Sequence, residues 1–461
     1  MTALDNQPIS PLDGRYRHAV AGLGAHLSEA GLNRARVQVE VEWLIYLTGN
    51  RMFGSSPLTD EQIGSLRALV DDFGQDEIDE LARLEATTRH DVKAVEYLVR
   101  SRLHRLGLDA IAELTHFACT SEDVNNLAYA LTVSSAVNEV WLPKAHGVIA
   151  KLDGLARDHR ADAMLAHTHG QPATPTTMGK ELAVFVYRLK RVVKQIERSE
   201  FLGKFSGATG TFSAHLVAEP SADWPRISRE FVESLGLTWN PLTTQIESHD
   251  WQAELYGRVS HFNRILHNLA TDVWTYISLG YFRQIPQAGA TGSSTMPHKI
   301  NPIRFENAEA NLELSCALLD SLSTTLVTSR LQRDLTDSTT QRNIGVAFGH
   351  SLLALDNIER GLGEIDLDRD ALLADLDRNW EVLGEAIQTV IRAEVTAGRS
   401  SIEDPYALLK ELTRGKRIGA ADLAAFVESL QIGDDAKRRL LELTPQTYTG
   451  LAGDLVEQLR D

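Results

Sequence analysis

The chain has 461 residues, of which 46 are lysine or arginine and 63 are aspartate or glutamate, so its formal net charge at pH 7 is −17. This length excludes a peptide-sized or disulfide-stapled scaffold and suffices for roughly two to four domains with a large interior. The negative charge disfavours a protein that binds DNA or RNA by neutralising phosphates, and a balance of 43% hydrophobic to 24% charged residues is that of an ordered globular protein.

Residues 1–111 predict an N-terminal domain of shorter helices, which are interrupted at Gly49-Asn50 and at 54–57. The first residues lack the basic and apolar segments of a secretion signal, and no later stretch of about 18 residues is free of charge. Cys119 and Cys316 stand outside the spacing of a zinc site or a disulfide framework. We therefore expect a cytoplasmic protein with reduced thiols and no membrane span.

Residues 112–364 predict a central domain of long helices. Apolar residues recur there at intervals of three and four, as on one face of an amphipathic helix, and proline is absent from 303–404. Five long stretches show this pattern: 123–157, 178–202, 253–282, 304–330 and 340–363. They predict an all-α fold with a central bundle of about five long helices.

Residues 365–461 predict a third, smaller helical domain. Its helical segments are short and alternate in charge, with breaks at 398–401 and at Asp404-Pro405. The chain is therefore expected to form three helical domains.

A small, polar loop at 289–302 lies between two of the long stretches and is not explained by helix packing. Asn301 predicts the N-cap of the next helix, and Pro302 predicts its first residue. Free backbone N–H groups at this helix start, beside Lys299, suit a carboxylate or a phosphate. A flexible connection with a good cap explains the same residues equally well.

Two histidines, His167 and His169, stand in a proline-containing turn that precedes a helix starting near Met178. Histidine is the usual proton donor near neutral pH, although most of the 15 histidines must be surface or capping residues. No third ligand lies at a supporting spacing, so we do not predict a metal site.

Further turns concentrate side chains that bind anions, at 13–16, 89–91 and 116–123. Thr120 or Ser121 also has the character of a helix cap, which explains the third turn without a ligand. The segment 330–342 combines three arginines with four hydroxyl residues, a composition suited to a phosphate ester. A solvated, salt-bridged corner is the competing interpretation.

The loop sequence from Gly292 to Pro302 resembles the signature loop of the fumarase/aspartase superfamily. Within that superfamily, five other segments resemble the bacterial adenylosuccinate lyase family: 89–97, 117–123, 168–172, 333–338 and 411–416. The resemblance extends from about residue 10 to about residue 417.

This resemblance implies a homotetramer whose central helices form a twenty-helix core, with each active site assembled from three subunits. It implies β-elimination of fumarate from adenylosuccinate, giving AMP, and from SAICAR, giving AICAR, as steps of purine biosynthesis. It implies no cofactor, and from the sequence itself we expect no metal, no nucleic acid and no membrane as a partner.

The resemblance also implies roles for individual residues. Ser293 is the expected general base and His169 the expected general acid, while Lys299 and Asn301 neutralise the charge that develops on the substrate. His90 and Glu306 complete the expected catalytic set, and His116 is a further candidate for orienting His169 or the loop. The expected substrate-binding residues are Arg15, Tyr16, Arg89, His90, Asp91, Thr120, Ser121, Gln245, Met296, Asn301, Asn307, Arg333, Ser338, Thr339, Thr340, Gln341 and Arg342.

Two other functions remain open at this point. One is a different lyase of the superfamily, acting on argininosuccinate, malate or aspartate; the phosphate-suited segment 330–342 argues against it. The other is a structural relative that has lost activity, which the joint presence of Ser293, His169 and Lys299 opposes.

Overall fold

Helices dominate the structure, a computed structural model that describes residues 7–286, 296, 299–413 and 418–459. The first helices are α1 (Arg17–Val20), α2 (Gly24–Leu27), α3 (Glu29–Gly49), α4 (Asp60–Asp71), α5 (Gln75–Thr88), α6 (Asp91–Arg105) and α7 (Ser121–Ser135). The middle helices are α8 (Leu142–Asp158), α9 (Met178–Ile196), α10 (Ser213–Ala218), α11 (Trp224–Ser234), α12 (Asp250–Ser278), α13 (Ile303–Leu326), α14 (Thr336–Gln341) and α15 (Ile344–Leu362). The last helices are α16 (Arg369–Asp377), α17 (Gly384–Thr396), α18 (Pro405–Thr413), α19 (Ala420–Ser429), α20 (Asp434–Leu441) and α21 (Ala452–Leu455).

Strands occur in the described residues only as three two-stranded pairs. An antiparallel hairpin joins β1 (Ala163–Thr168) to β2 (Gln171–Thr177), a parallel pair joins β3 (Leu202–Gly203) to β4 (Thr238–Trp239), and an antiparallel pair joins β5 (Phe282–Gln284) to β6 (Ile365–Leu367). The all-α fold class is thus confirmed, and the three strand pairs, of which the hairpin is the longest, are elements that the periodicity did not predict.

The five predicted long stretches are helical, with shifted ends. The stripe predicted on α12 is buried from Leu255 through Val273, as the spacing of three and four requires. That helix ends at Ser278, because Gly280 takes a φ of +78°, a conformation open to glycine. Helix α13 begins at Ile303, one residue later than predicted, and the Pro302 carbonyl accepts a hydrogen bond from the Glu306 N–H at 3.2 Å.

Helices α7 and α8 are joined without a break by a π-helical turn, Ala136–Trp141. Pro143 lies two residues after this turn, and in a regular helix its ring would clash with the carbonyl of Glu139. The wider turn accommodates this proline inside a helix that otherwise continues from Ser121 to Asp158.

The chain divides into two compact units. The first consists of Met1–Ala145, Val192–Arg264 and Ala310–Asp356. Its α3 to α6 region has an apolar cluster that includes Val41, Leu66 and Leu98. Polar contacts also join its long helices, because the Trp141 indole donates to Ser351 Oγ at 2.9 Å, Ser351 donates to Asn263 at 2.8 Å, and Asn263 donates to Ser315 Oγ at 3.0 Å.

The second unit consists of His146–Arg191, Ile265–Glu309 and Asn357–Asp461. Its C-terminal helices share an apolar cluster that includes Leu383, Ile391 and Val427. A smaller cluster packs Leu165 of β1 against Leu376 of α16. This contact anchors the hairpin to a helix. The boundaries at 111 and 364 between three domains stay predictions.

Among the described residues, no helix is long and apolar enough to cross a membrane.

Candidate active site

His169 lies at the tip of the β1–β2 hairpin, in the second unit. Thr168 pairs with Gln171 across the turn, so His169 and Gly170 form a two-residue loop with φ values of +54° and +71°. Positive φ at both positions is the geometry of a type I′ turn. A histidine there carries backbone strain of roughly 1 kcal/mol or more, held by the surrounding ladder. Its imidazole is solvent-exposed, as is that of His167.

The start of α13 presents the second group of candidate catalytic residues. Lys299 is exposed, and its N–H donates to the Met296 carbonyl at 3.0 Å. Asn301 is half-buried directly before the helix, whose first N–H groups have no intrahelical acceptor. The N-terminus of α13 therefore carries the partial positive charge of the helix dipole and follows the cation Lys299 in sequence, as the sequence predicted. Ser293 and most of the loop 289–302 lie outside the described residues.

Two further candidates sit in the first turns of α13. Glu306 is exposed, and its Oε1 accepts the Trp274 indole N–H at 3.1 Å from α12. Asn307 is half-buried, and its Oδ1 accepts a hydrogen bond from Asn357 at 3.0 Å. Both side chains are therefore oriented by neighbouring helices.

In the first unit, Asp91 and Arg342 are in direct contact. Asp91 Oδ2 lies 3.0 Å from Arg342 Nη2 and 2.9 Å from Arg36 Nη2. Burial alone would raise the pKa of Asp91, but the Arg36 guanidinium, the Val92 N–H and the Arg342 guanidinium outweigh it and lower that pKa. Asp91 is consequently held as a carboxylate between two cations.

Arg333 is held in a matching way by Glu122 of α7. Its Nη1 lies 2.6 Å from Glu122 Oε1, and the same oxygen accepts a hydrogen bond from Asn125 at 2.8 Å. Asn125 in turn accepts a hydrogen bond from Arg36 Nε at 2.9 Å. Arg333 and Arg342 therefore belong to one connected set of polar contacts.

Thr120 and Ser121 are half-buried at the start of α7, where Thr120 is the N-cap. Asp123 fixes this start, since its Oδ2 accepts the Thr120 N–H at 2.8 Å and its Oδ1 pairs with Lys204 Nζ at 2.8 Å. Both side chains of that ion pair are fully buried. The interpretation of Thr120 as a helix cap is confirmed.

His116 pairs with a buried carboxylate. Its Nδ1 lies 2.6 Å from Glu40 Oε1, and its backbone N–H donates to Glu40 Oε2 at 2.9 Å. Burial would lower the pKa of His116, but the hydrogen bond and the charge of Glu40 raise it. The contact with Glu40 thus favours the protonated form of His116.

Gln245 and Gln341 are each held by contacts within the first unit. Gln245 Nε2 donates to the Ala208 carbonyl at 2.9 Å. His249, which is buried, contacts Asp337 Oδ2 at 3.3 Å through Nε2 and Gln341 Nε2 at 3.4 Å through Nδ1. Gln341 Nε2 also donates to Gln252 at 3.1 Å, so this amide nitrogen contacts two side chains of the protein.

The remaining candidates lie on turns and helix ends. The Arg15 guanidinium stacks at 5.7 Å from the Tyr16 ring, and the exposed Arg89 ends α5 with a φ of +52°. His90 is the N-cap of α6 and accepts the Lys93 N–H at 3.2 Å. Of the hydroxyl residues before Arg342, Ser338 is half-buried, Thr339 is exposed, and Thr340 donates to the Thr336 carbonyl at 2.7 Å.

A cavity of about 320 Å³ in the first unit is bounded by Asp13, Glu29, Tyr129 and Arg342, together with apolar side chains. The segment that carries Arg15 therefore runs close to the segment that carries Arg342. The Tyr129 hydroxyl is buried without a hydrogen-bond partner. Burial raises the pKa of Tyr129 to about 12.

Strained backbone concentrates at the candidate segments. Of the described non-glycine residues with positive φ, six lie within or beside those segments: Arg89, His116, Ala118, His169, His249 and Leu331. Such conformations persist where the surrounding structure over-determines them, which is common at functional sites.

Sequence reasoning missed Arg36, Glu40, Lys204 and His249. A usable signal existed in α3, where Arg36 and Glu40 continue the buried stripe of Leu32, Trp43 and Leu47 at spacings of three and four. A charged residue on an apolar helix face is rarely buried without a partner. No comparable local pattern marks Lys204. Among the described residues, no group of three or more His, Cys, Asp or Glu side chains is arranged to hold a metal.

Comparison with known sequences identifies the family. The sequence model of the family described as Lyase matches residues 14–315, and the one described as Adenylosuccinate lyase C-terminal matches residues 329–449. The adenylosuccinate lyase of Escherichia coli strain K12 is 47% identical over 454 residues, which are 98% of each chain. The chain belongs to the adenylosuccinate lyase family. The family member from Haemophilus influenzae strain Rd is likewise 47% identical, over 453 residues and 98% of each chain.

Solved structures of other proteins share this fold. A fumarate lyase from Mesorhizobium sp. BNC1 superposes with a TM-score of 0.74 at 19% identity, covering 95% of this chain and 96% of that one. At that identity the likeness concerns the fold alone.

The two family matches divide the candidate residues. Most of them, from Arg15 through Asn307, fall in the part matched as Lyase. The arginine-rich segment 330–342 falls in the part whose description names adenylosuccinate lyase. The resemblance inferred from the motifs is thereby confirmed over nearly the whole chain.

Proposed function

We propose that this protein is a carbon–nitrogen lyase that releases fumarate from adenylosuccinate, giving AMP, and from SAICAR, giving AICAR. The observation that carries the proposal is the 47% identity to an adenylosuccinate lyase over 98% of both chains. The phosphate-suited segment with Arg333 and Arg342 supports a phosphorylated substrate over argininosuccinate, malate or aspartate, which carry no phosphate.

The elimination breaks a carbon–nitrogen bond and removes a proton from the carbon beside a carboxylate. Ser293 takes that proton. A serine hydroxyl is a weak base at its ordinary acidity, so it needs cations and N–H donors around it in order to act. As the proton leaves, the carboxylate becomes a dianion, and Lys299, Asn301 and the N-terminal pole of α13 neutralise it.

His169 protonates the departing nitrogen, which takes the electron pair of the broken bond. An exocyclic nitrogen would otherwise leave as an anion, a far more costly species. The hairpin supports this role because its ladder fixes the turn while leaving the imidazole exposed. The two proton transfers balance, and since no electron is gained or lost, the reaction as proposed needs no cofactor.

The binding roles follow the chemistry of the side chains. Arg333, Ser338 and Arg342 bind the phosphate, and Thr120 and Ser121 address the succinyl carboxylates. His90 and Glu306 assist the catalytic groups. The other proposed contacts are Arg15, Tyr16, Arg89, Asp91, Gln245, Met296, Asn307, Thr339, Thr340 and Gln341.

We further propose that the protein acts in the cytoplasm as a homotetramer with active sites shared between subunits. Sharing has a specific consequence. Inactive Ser293→Ala and His169→Ala tetramers, when their subunits are exchanged, should regain part of the activity, because some hybrid sites combine two intact residues. No recovery after mass spectrometry has shown mixed tetramers would overturn the sharing of sites.

The deciding experiment is an ultraviolet assay of the purified protein with adenylosuccinate, with AMP and fumarate identified by chromatography. Release of both products supports the proposal. Argininosuccinate and malate serve as comparison substrates. Turnover of either one without release from adenylosuccinate would assign the chain to a different reaction, and no turnover by a folded protein would identify an inactive relative.

A further inference from the structure

Arg36 is a buried cation that occupies the middle of a chain of polar contacts. Arg36 is 1% exposed, so its guanidinium is not positioned to bind a ligand from solvent. Each of its three nitrogens has a partner: Nη1 donates to Asn33 at 2.8 Å, Nε donates to Asn125 at 2.9 Å, and Nη2 lies 2.9 Å from Asp91. A buried charge is tolerated only with such complete pairing, so the position of Arg36 is tightly specified.

Two paths lead from Arg36 to the two arginines proposed to bind phosphate. Through Asp91 it reaches Arg342 at 3.0 Å. Through Asn125 and Glu122 it reaches Arg333, with contacts of 2.8 and 2.6 Å. These contacts join α3, α6, α7 and the segment after Arg330, four parts of the chain that are distant in sequence.

The charges along these paths explain why Arg36 has to be a cation. The side chain of Arg342 is 37% exposed, whereas the side chain of Asp91, which contacts it, is 24% exposed. Arg342 also pairs with Glu29, so its guanidinium faces two carboxylates. Without Arg36, the group of Arg342, Asp91 and Glu29 would carry a net negative charge and would repel an anion. Arg36 compensates Asp91 from the buried side and makes the group neutral, so that Arg342 can bind an anionic ligand.

We propose that Arg36 is a positioning residue for phosphate recognition: it orients Arg342 through Asp91 and Arg333 through Asn125 and Glu122. This inference rests on the proposed function, since it assumes that the two arginines contact the phosphate. It assigns a role to a residue that does not touch the substrate.

The test compares ligands with and without phosphate. In Arg36→Met, the inhibition constant of AMP and the KM for adenylosuccinate should rise roughly 10-fold, the scale of one charge-assisted hydrogen bond. The inhibition constant of fumarate, which has no phosphate, and kcat should change less than about threefold. Arg36→Lys, which restores the cation but not the fork toward Asn125, should recover part of the loss.

Arg102 provides a matched control. It lies on α6 like Asp91, but its Nη2 pairs at 3.0 Å with Glu77, which belongs to neither of the two paths from Arg36. Arg102→Met should lower the melting temperature and leave the AMP inhibition constant unchanged. Equal losses for AMP and fumarate in Arg36→Met would overturn the inference, because they indicate general damage.

Two further experiments test the role of Arg36 when the first variant does not fold or the proposed function fails. If Arg36→Met does not fold by circular dichroism, Asn125→Ala and Arg36→Lys replace it, and unchanged AMP inhibition in both would overturn the inference. If wild-type protein releases no fumarate from adenylosuccinate, the proposed function fails, and calorimetric binding of AMP to wild type and Arg36→Met still decides the role of Arg36.

Discussion

The residues proposed to bind phosphate and the residue proposed to donate a proton are held in opposite ways. Arg333 pairs with Glu122, and Arg342 pairs with Asp91 and Glu29. The buried Arg36 contacts Asp91 directly and Glu122 through Asn125. His169 stands on an exposed two-residue turn and owes its position to the backbone of a hairpin. One region is organised by side-chain contacts between helices, and the other by the ladder of two strands.

This difference predicts that binding and chemistry respond to separate perturbations. Helix contacts couple each arginine to the stability of the first unit, so a change there affects ligand affinity and unfolding together. The hairpin tip contributes no buried side chain, so a change at His169 affects catalysis without loss of stability. The following substitutions test this separation.

The largest effect is expected for His169→Asn. Loss of a general acid should lower kcat by about 10²- to 10⁴-fold. The melting temperature should not fall, because Asn-Gly is the preferred pair in a type I′ turn and asparagine adopts positive φ more readily than histidine does. The measurements are steady-state turnover and thermal unfolding at one fixed protein concentration.

His167→Asn is the control for this prediction, since His167 is also exposed on the same hairpin. It should leave kcat within about threefold of wild type, as expected for a surface side chain outside the chemistry. A comparable loss of turnover in both variants would show that the hairpin, and not the imidazole of His169, supports the reaction.

An intermediate effect is expected for Arg333→Met. Loss of its charge-assisted bonds to phosphate should raise KM for adenylosuccinate about 10- to 100-fold, and the melting temperature should fall because buried Glu122 loses a cation. Arg330→Met removes a guanidinium that is 82% exposed and pairs with Asp334. It should alter KM less than about threefold, and an equal effect of both variants would remove the distinction between the two arginines.

The smallest effect is expected for Glu40→Gln, and it depends on pH. The pKa of His116 is raised in the folded state, so this pair contributes stability that is complete below pH 6.5 and is lost as the pH rises through the folded-state pKa. The variant should therefore lose about 1 to 3 kcal/mol of unfolding free energy near pH 6, and less at pH 9.

Urea unfolding across this pH range measures the difference. Asp109→Asn is a suitable control, because it removes the partner of the exposed His104. An exposed pair contributes little, so the control should stay within about 1 kcal/mol of wild type at every pH. A Glu40→Gln deficit that grows with pH would contradict the assigned charge of His116.

Much of the helical architecture was predictable from local pattern. The apolar spacing on α12 identified a helix because one face of it is buried along most of its length. The break after Gly49 and the start of α9 at Met178 were likewise local signals. The hairpin was not predicted, since prolines and threonines in 171–177 read as a turn, and strand pairing depends on a partner that periodicity does not reveal.

The site was predictable as a set of segments but not as a set of contacts. The arginines of 330–342 were recognised from composition, yet their partners Glu122 and Asp91 are more than 200 positions away in sequence. Glu122 was interpreted as a residue that favours a helix start, which is a local role. Its contact with Arg333 exists only because tertiary packing brings α7 to that segment.

The π-helical turn Ala136–Trp141 restricts how the length of this chain can vary. A π turn holds one residue more than an α-helical turn. Deletion of one residue there would yield a regular α-helix, in which the ring of Pro143 would clash with the carbonyl four residues before it. The segment is therefore sensitive to a change of length as well as to exchange of its buried side chains Ala136, Val137 and Trp141.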